Sequence, residues 1–299
     1  MSYSITTKLL FLIIVSIFAV SISPIISNYL SEVSYVSKSF WRMAIASVIM
    51  WLFTFRLNHK PIGIDDRMKI FFAGALLGLH FILFYGSIDI LRETGGVNQI
   101  SNATVLGTLA PVFVLIIERV VFKKQFSGMV FLSLAVALTG SILIFYNDLS
   151  FSLELFVGNA YAILCSILLS ITFIISTDIR KRLDTMRFSR LLYTNAAVTC
   201  LVVLLISKDS IVAFSRQEFF MLAVLGVVPT LFGHNIFYYL VGQISPVTVS
   251  AIPLAEPIVS TILSVIIFNL IMPSSVTILG GILTISGLGL LIYFQADTS

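Results

Sequence analysis

The chain has 299 residues, 58% of them hydrophobic and only 11% charged, with a mean hydropathy of +1.06. Soluble domains carry about 25% charged residues, so a soluble globular protein is excluded and a polytopic membrane protein is expected. The formal net charge of +4 comes from bases in short blocks between apolar runs, which is a topology signal and not a nucleic-acid surface.

The first apolar run covers residues 9–30. Lys8 followed by Leu9 to Ile22, with small residues near Ser21 and Ser23, has the build of a secretory signal. Retention as a first span is preferred, because the run that begins at Gly158 needs a counterpart in the repeat described below. Further runs fall at 35–55, 68–90, 99–121, 127–146, 156–177, 189–206, 217–240, 246–268 and 275–294, which gives ten expected helices. Lys38 and Arg42 lie in the first turns of the second run and are expected to snorkel to the headgroups. The third run carries a small-residue pair, Gly74 and Gly78, and the lone His80. In the fourth, Ser101, Thr104, Thr108, Pro111 and Glu118 recur at helical steps. Asn98 and Asn102 at its outer start either line an entrance or cap the helix. Glu118 beside Arg119 reads as an interfacial, structural residue. The eighth run holds Pro229, Thr230, His234 and Asn235.

The ninth run is the most informative. It places Pro253, Glu256, Ser260 and Ser264 on one helical face. A carboxylate near mid-membrane costs about 2.5–3.5 kcal/mol on insertion scales, so Glu256 should face protein or water. A structural glutamate bonded to a neighbouring helix would carry the same signal. Pro111 and Pro257 each remove a backbone hydrogen bond at matched depths, which suits a gate or a static kink. A histidine such as His234, if it met Glu256, could exchange a proton near neutral pH. Cys165 and Cys200 both fall inside apolar runs, so neither a disulfide framework nor a metal site is expected.

With the N-terminus placed inside, 13 of the 18 Lys and Arg fall on inside segments. Both termini are therefore expected in the cytoplasm, and the protein in the cell (inner) membrane. Trp41, Trp51, Tyr146 and Tyr293 lie near run ends, as interfacial aromatics do.

The second half echoes the first. Pro111 and Pro257 are 146 residues apart, as are Phe122 and Phe268. Ser133, Ala137 and Gly140 match Gly280, Thr284 and Gly287 at 147, Gly78 and Phe84 match Gly226 and Phe232 at 148, and Ile25-Ile26-Ser27 matches Ile174-Ile175-Ser176 at 149. The expected architecture is an all-α membrane protein of ten transmembrane helices, built as two inverted five-helix repeats over residues 1–150 and 151–299. An odd number of helices per copy forces the second copy to enter from the opposite side. Inverted repeats mark secondary transporters with the solute site where the copies meet.

Candidate solute contacts are Glu256, His234, Asn235, Asn102, Thr108, Ser260 and His80, with Pro111 and Pro257 as candidate gating positions. The expected ligand is a small-molecule solute, in a monomer or homodimer surrounded by membrane lipid. No catalytic residue, metal or cofactor is expected. An intramembrane enzyme is the weaker alternative, since H-E-x-x-H, G-x-S-x-G and a paired-aspartate arrangement are all missing from the sequence. A channel or sensor is the other alternative; it usually needs a pore ring drawn from several subunits.

Pro229-Thr230-Leu231-Phe232-Gly233-His234-Asn235-Ile236-Phe237, then Ser245-Pro246 and Leu254-Ala255-Glu256-Pro257, resembles the second half of EamA-like members of the drug/metabolite transporter superfamily. Ser101-Asn102-Ala103-Thr104 followed by Leu109-Ala110-Pro111 resembles the first-half signature. The resemblance spans residues 9–294. It implies ten helices, two repeats, cytoplasmic termini, a central cavity and movement of small metabolites such as amino acids, often as export. Two departures stand out. Asn269-Leu270 replace a Gly-Glu pair at the end of the ninth helix, and Asp89 to Gly96 form a longer, more charged outer turn.

Overall fold

A computed structural model describes residues 7–56, 61–95, 100–144, 152–211, 214–268 and 274–297. Asn98, Tyr146 and Asn269-Leu270 lie outside the described residues, as do the side chains of Ser101 and Ser264. The first half contains α1 (Thr7–Tyr29), α2 (Tyr35–Thr54), α3 (Ile64–Gly95), α4 (Ile100–Gly107), α5 (Ala110–Val120) and α6 (Gly128–Ile144). The second contains α7 (Phe156–Arg180), α8 (Thr185–Ser207), α9 (Arg216–Val227), α10 (Asn235–Leu240), α11 (Pro246–Ala251), α12 (Glu256–Phe268) and α13 (Ser275–Asp297). Among the described residues, nine helical stretches are long and apolar enough to cross a membrane, and the 17-residue α6 is a shorter apolar helix. The chain is an all-helical, two-repeat integral membrane protein.

Helix starts are written in short polar side chains. Ser34, Asp184, Ser215 and Ser245 each accept a bond from a backbone N–H in the first turn of α2, α8, α9 and α11. Ser215 and Glu218 complete a capping box. At the other end of α8, Lys208 takes the left-handed conformation (φ 58°) that lets the chain turn away.

Three spans are interrupted. The fourth breaks between α4 and α5, just ahead of Pro111. The ninth breaks through a 3₁₀ turn, Ile252–Ala255, that holds Pro253 and ends against Glu256-Pro257. The eighth contains a π turn, Val228–His234. Its cause is local. Pro229 has no N–H to offer the Leu225 carbonyl, and the Thr230 hydroxyl donates to it instead at 2.9 Å.

Packing repeats with the copies exchanged. The α2 helix packs on α8, and α6 packs on α13. The α3–α7 contact has its counterpart in α1 against the π turn and α10, and the α5–α7 contact in α1 against α12. The breaks are tied in the same way. Ser170 on α7 donates to the Ala110 carbonyl at 2.9 Å, and Ser21 on α1 donates to the Glu256 carbonyl at 3.5 Å.

Two glycines sharpen the register. A Cβ on Gly74 would meet the Asn195 side chain and the Leu192 carbonyl. One on Gly226 would meet the Ile45 side chain and the Arg42 carbonyl. Asn195 and Leu192 stand 150 residues beyond Ile45 and Arg42, as Asp184 stands beyond the matching cap Ser34. The true counterpart of Gly226 is therefore Gly74, not Gly78 as the sequence match suggested. The same register pairs Lys38 with Phe188 and Arg42 with Leu192.

The small faces of α6 and α13 meet each other. A Cβ on Gly140 would overlap the Thr284 amide and the Gly280 carbonyl, whereas one on Gly289 would meet nothing within 4 Å. Gly140→Ala is therefore expected to cost about 1–3 kcal/mol by overpacking. Gly289→Ala should be neutral or stabilise by up to about 1 kcal/mol through helix propensity. Thermal unfolding of both variants in one detergent checks the contrast.

Candidate functional site

A small cavity of about 30 Å³ lies where α1, α2 and α3 face the two interrupted spans of the second half. Its polar lining is Ser23, Arg42, His80, Thr108, His234 and Glu256, and its apolar lining includes Phe81, Phe84 and Phe237. The interruptions deliver two of these groups. The 3₁₀ turn points Pro253 and Glu256 inward together, and the π turn brings His234 inward from the eighth span.

Arg42 overturns the expectation of snorkelling. It is 1% exposed and reaches the cavity from the second turn of α2. Its Nε donates to Thr230 Oγ1 at 2.9 Å, and its Nη1 donates to Ser23 Oγ at 2.9 Å and to the Tyr85 hydroxyl at 2.5 Å. The guanidinium carbon sits 4.0 Å from the centre of the Phe81 ring. Nη2 is buried with no hydrogen-bond partner in the structure. Lys38 does not snorkel either. Fully buried, its Nζ donates to Asp89 Oδ1 at 2.7 Å and to Ser27 Oγ at 3.3 Å, over the Tyr85 ring. Arg92 stands 3.7 Å from the same carboxylate oxygen. Both heads are buried, so protein groups and not headgroups surround each charge.

Glu256 is 7% exposed, and its Oε1 also has no hydrogen-bond partner. Among the described residues no ion pair joins it to Arg42. His234 lies at the cavity with an unpartnered Nδ1 and packs against Phe81, Phe237 and His80 at centroid distances of 5.0, 5.5 and 6.2 Å. No hydrogen bond between His234 and Glu256 is present among the described residues. His80 contacts the Cys165 carbonyl through Nδ1 at 2.8 Å. A carbonyl can only accept, so that nitrogen carries the proton. Thr108 lines the cavity but spends its hydroxyl on the Val105 carbonyl at 3.0 Å.

Three candidates lie elsewhere. Asn102 is fully buried and donates to Asn159 Oδ1 at 3.0 Å, which ties α4 to α7. Ser260 donates to the Glu256 carbonyl one turn back and does not line the cavity. Asn235 lines a separate groove at the other end of the eighth span, beside Lys8 and Tyr239. Pro111 and Pro257 mark the two breaks, at the start of α5 and directly after Glu256. Glu118 pairs with Lys124 rather than Arg119, and Arg119 lies over the Phe131 ring. Both cysteines are buried and free.

The cavity residues that sequence reasoning missed are Arg42, Ser23 and the aromatic wall. Arg42 carried a usable signal. It stands four residues from Lys38 and four from Ala46, on a face that continues through Met43, Ser47 and Met50, all buried.

The EamA-like transporter family model matches the chain twice, over residues 7–146 and 156–293. Curated protein sequences give no match. A crystal structure of another protein superposes with a TM-score of 0.76 over 99% of this chain and 100% of that one. At 14% identity that likeness shows the fold alone. Two successive family matches cover nearly all of both halves, and the chain belongs to the EamA-like transporter family, whose members move small solutes across membranes.

Proposed function

We propose that this protein carries a small zwitterionic metabolite, an amino acid or a related compound, out of the cytoplasm across the cell membrane by alternating access. One observation carries the reading. Arg42 and Glu256 face the same buried cavity, each with a polar atom that has no hydrogen-bond partner, and they do not pair with each other. Leaving an ion unpaired in a low-dielectric site costs several kcal/mol. A solute bearing a carboxylate and an ammonium group would satisfy both ends at once. Phe84 and Phe237 give its apolar part a wall to lie against.

The moving units are the two copies, 1–150 and 151–299, with the breaks ahead of Pro111 and at Pro253 to Pro257 as hinges. The single chain holds the whole cavity, whether it stands alone or in a homodimer. Outward direction and cytoplasmic termini rest on the family and on the distribution of bases.

The test is counterflow of labelled amino acids in proteoliposomes. Wild type should show saturable exchange, and Glu256→Gln should lower it about 30-fold or more. Unchanged flux in Glu256→Gln would remove that side chain from solute binding, and an unsaturable ohmic current would favour a pore.

A further inference from the structure

At the end of the bundle where the chain begins, a groove of about 540 Å³ opens between the last turns of α2, the first turns of α3 and the first turns of α8. Arg67, Arg187 and Arg190 line it, together with Trp51, Met68 and Phe71. The guanidinium of Arg190 lies 4.4 Å from the centre of the Trp51 ring, and its Nη1 reaches Thr54 Oγ1 at a long 3.4 Å. Its Nε is buried and has no hydrogen-bond partner in the structure. Arg187 meets Asp184 at 3.7 Å, and no ion pair involves Arg67 among the described residues. Three guanidiniums thus line one groove.

The neighbouring bases behave differently. Arg182 is saturated by Asp66 at 2.7 Å and Asp178 at 3.1 Å, and bonding to Asp66 first and Asp178 second pushes its pKa above the usual arginine value. Lys69 is paired with Asp178 at 2.7 Å. The charges on that side of α3 are neutralised, whereas in the groove Arg67 and Arg190 have no carboxylate partner among the described residues.

We infer that the groove binds the phosphate headgroup of an anionic phospholipid. Arg67 lies in the first turn of α3, and Arg187 and Arg190 lie in the first two turns of α8, the level of the headgroups for helices that span the bilayer. Trp51, Met68 and Phe71 are 42%, 49% and 47% exposed, and exposed apolar side chains on a membrane helix face acyl chains. A soluble phosphate would gain nothing from those walls, whereas a phosphodiester with chains attached uses both. Planar guanidiniums bind phosphate oxygens in pairs, and the start of α8 adds a favourable dipole. The site is assembled from both halves of the chain, α2 and α3 from one and α8 from the other, so occupancy clamps the seam between them.

Thermal unfolding of purified, delipidated protein tests this with dioleoyl phosphatidylglycerol, dioleoyl phosphatidylcholine and inorganic phosphate. Phosphatidylglycerol at tenfold excess over its Kd should raise the midpoint by about 3 °C or more. The other two should leave it unmoved. Arg187→Gln with Arg190→Gln should weaken the effect about tenfold, and Arg182→Gln should not. If the double variant does not fold, the exposed Arg67→Gln takes its place with the same expectation. In a Trp41→Phe background, phosphatidylglycerol with brominated chains should quench Trp51 about twice as strongly as the brominated choline lipid. An equal response to the choline lipid, a shift that survives loss of these arginines, or no shift at all overturns the proposal. A response to inorganic phosphate equal to that of phosphatidylglycerol would mean a free-anion site and overturn the lipid assignment.

Discussion

Lys38→Met alone will destabilise the protein by about 3–5 kcal/mol, and so will Asp89→Asn alone, while the two together recover most of that loss. The reasoning starts from burial. Lys38 is fully enclosed, Asp89 is 6% exposed, and the pair closes at 2.7 Å. Two ions taken out of water are costly, and their mutual attraction roughly repays the cost when the geometry is good. Removing one of them leaves the other uncompensated. Arg92 offers partial relief to Asp89 from 3.7 Å, and Ser27 offers partial relief to Lys38. The lysine variant should therefore be the milder of the two, since Arg92 within 4 Å is a charged substitute and Ser27 is a neutral one. Chemical unfolding in detergent across the four-member cycle measures the coupling. Additive losses would show that the two charges do not depend on each other.

The second large effect concerns Arg42. Arg42→Lys should abolish most flux, about 30-fold or more, while changing stability by no more than about 2 kcal/mol. Lysine keeps the charge and the stem but not the fork. The fork donates to Thr230, Ser23 and Tyr85 and leaves Nη2 for a ligand. Ser23 and Tyr85 stay bonded to each other at 3.0 Å without it, and Thr230 keeps its bond to Leu225, so the frame survives. Arg42→Met goes further and removes the charge, and both flux and detectable binding should vanish. Counterflow together with a melting curve separates the two losses. Flux that falls only in proportion to folded protein would make Arg42 a structural residue.

The architecture was legible because membranes impose it. Ten apolar runs, two matched prolines and the small faces of α6 and α13 follow from length, hydropathy and close packing. Glu256 was legible for the same reason, as a costly group inside an apolar run. Lys38 and Arg42 were misplaced because a charge three to seven residues inside a span satisfies a snorkelling argument as well as a burial argument. What decides between them is a counter-ion at the same depth on another helix. Asp89, in the last two turns of α3, was that counter-ion, and a single sequence does not reveal which run faces which. The π turn was hidden as well. Pro229 announces a missing donor, but that Thr230 would fill the vacancy depends on a side-chain rotamer. Asn102 and Ser260 had the right chemistry and depth, but their hydrogen bonds go to Asn159 and to the Glu256 backbone.

The register that makes Phe188 the counterpart of Lys38 and Leu192 the counterpart of Arg42 has an energetic outcome. Under the proposed alternating access, chemically alike halves would make the inward-facing and outward-facing arrangements equivalent by a two-fold rotation and equal in free energy. Here one half carries two cations and the other an aromatic cluster, with Phe188 and Tyr238 at 5.6 Å. A carrier working in that way would then prefer one orientation when empty. Any displacement of those cations along the bilayer normal also couples that preference to membrane voltage, by up to about 2.3 kcal/mol per charge for each 100 mV crossed.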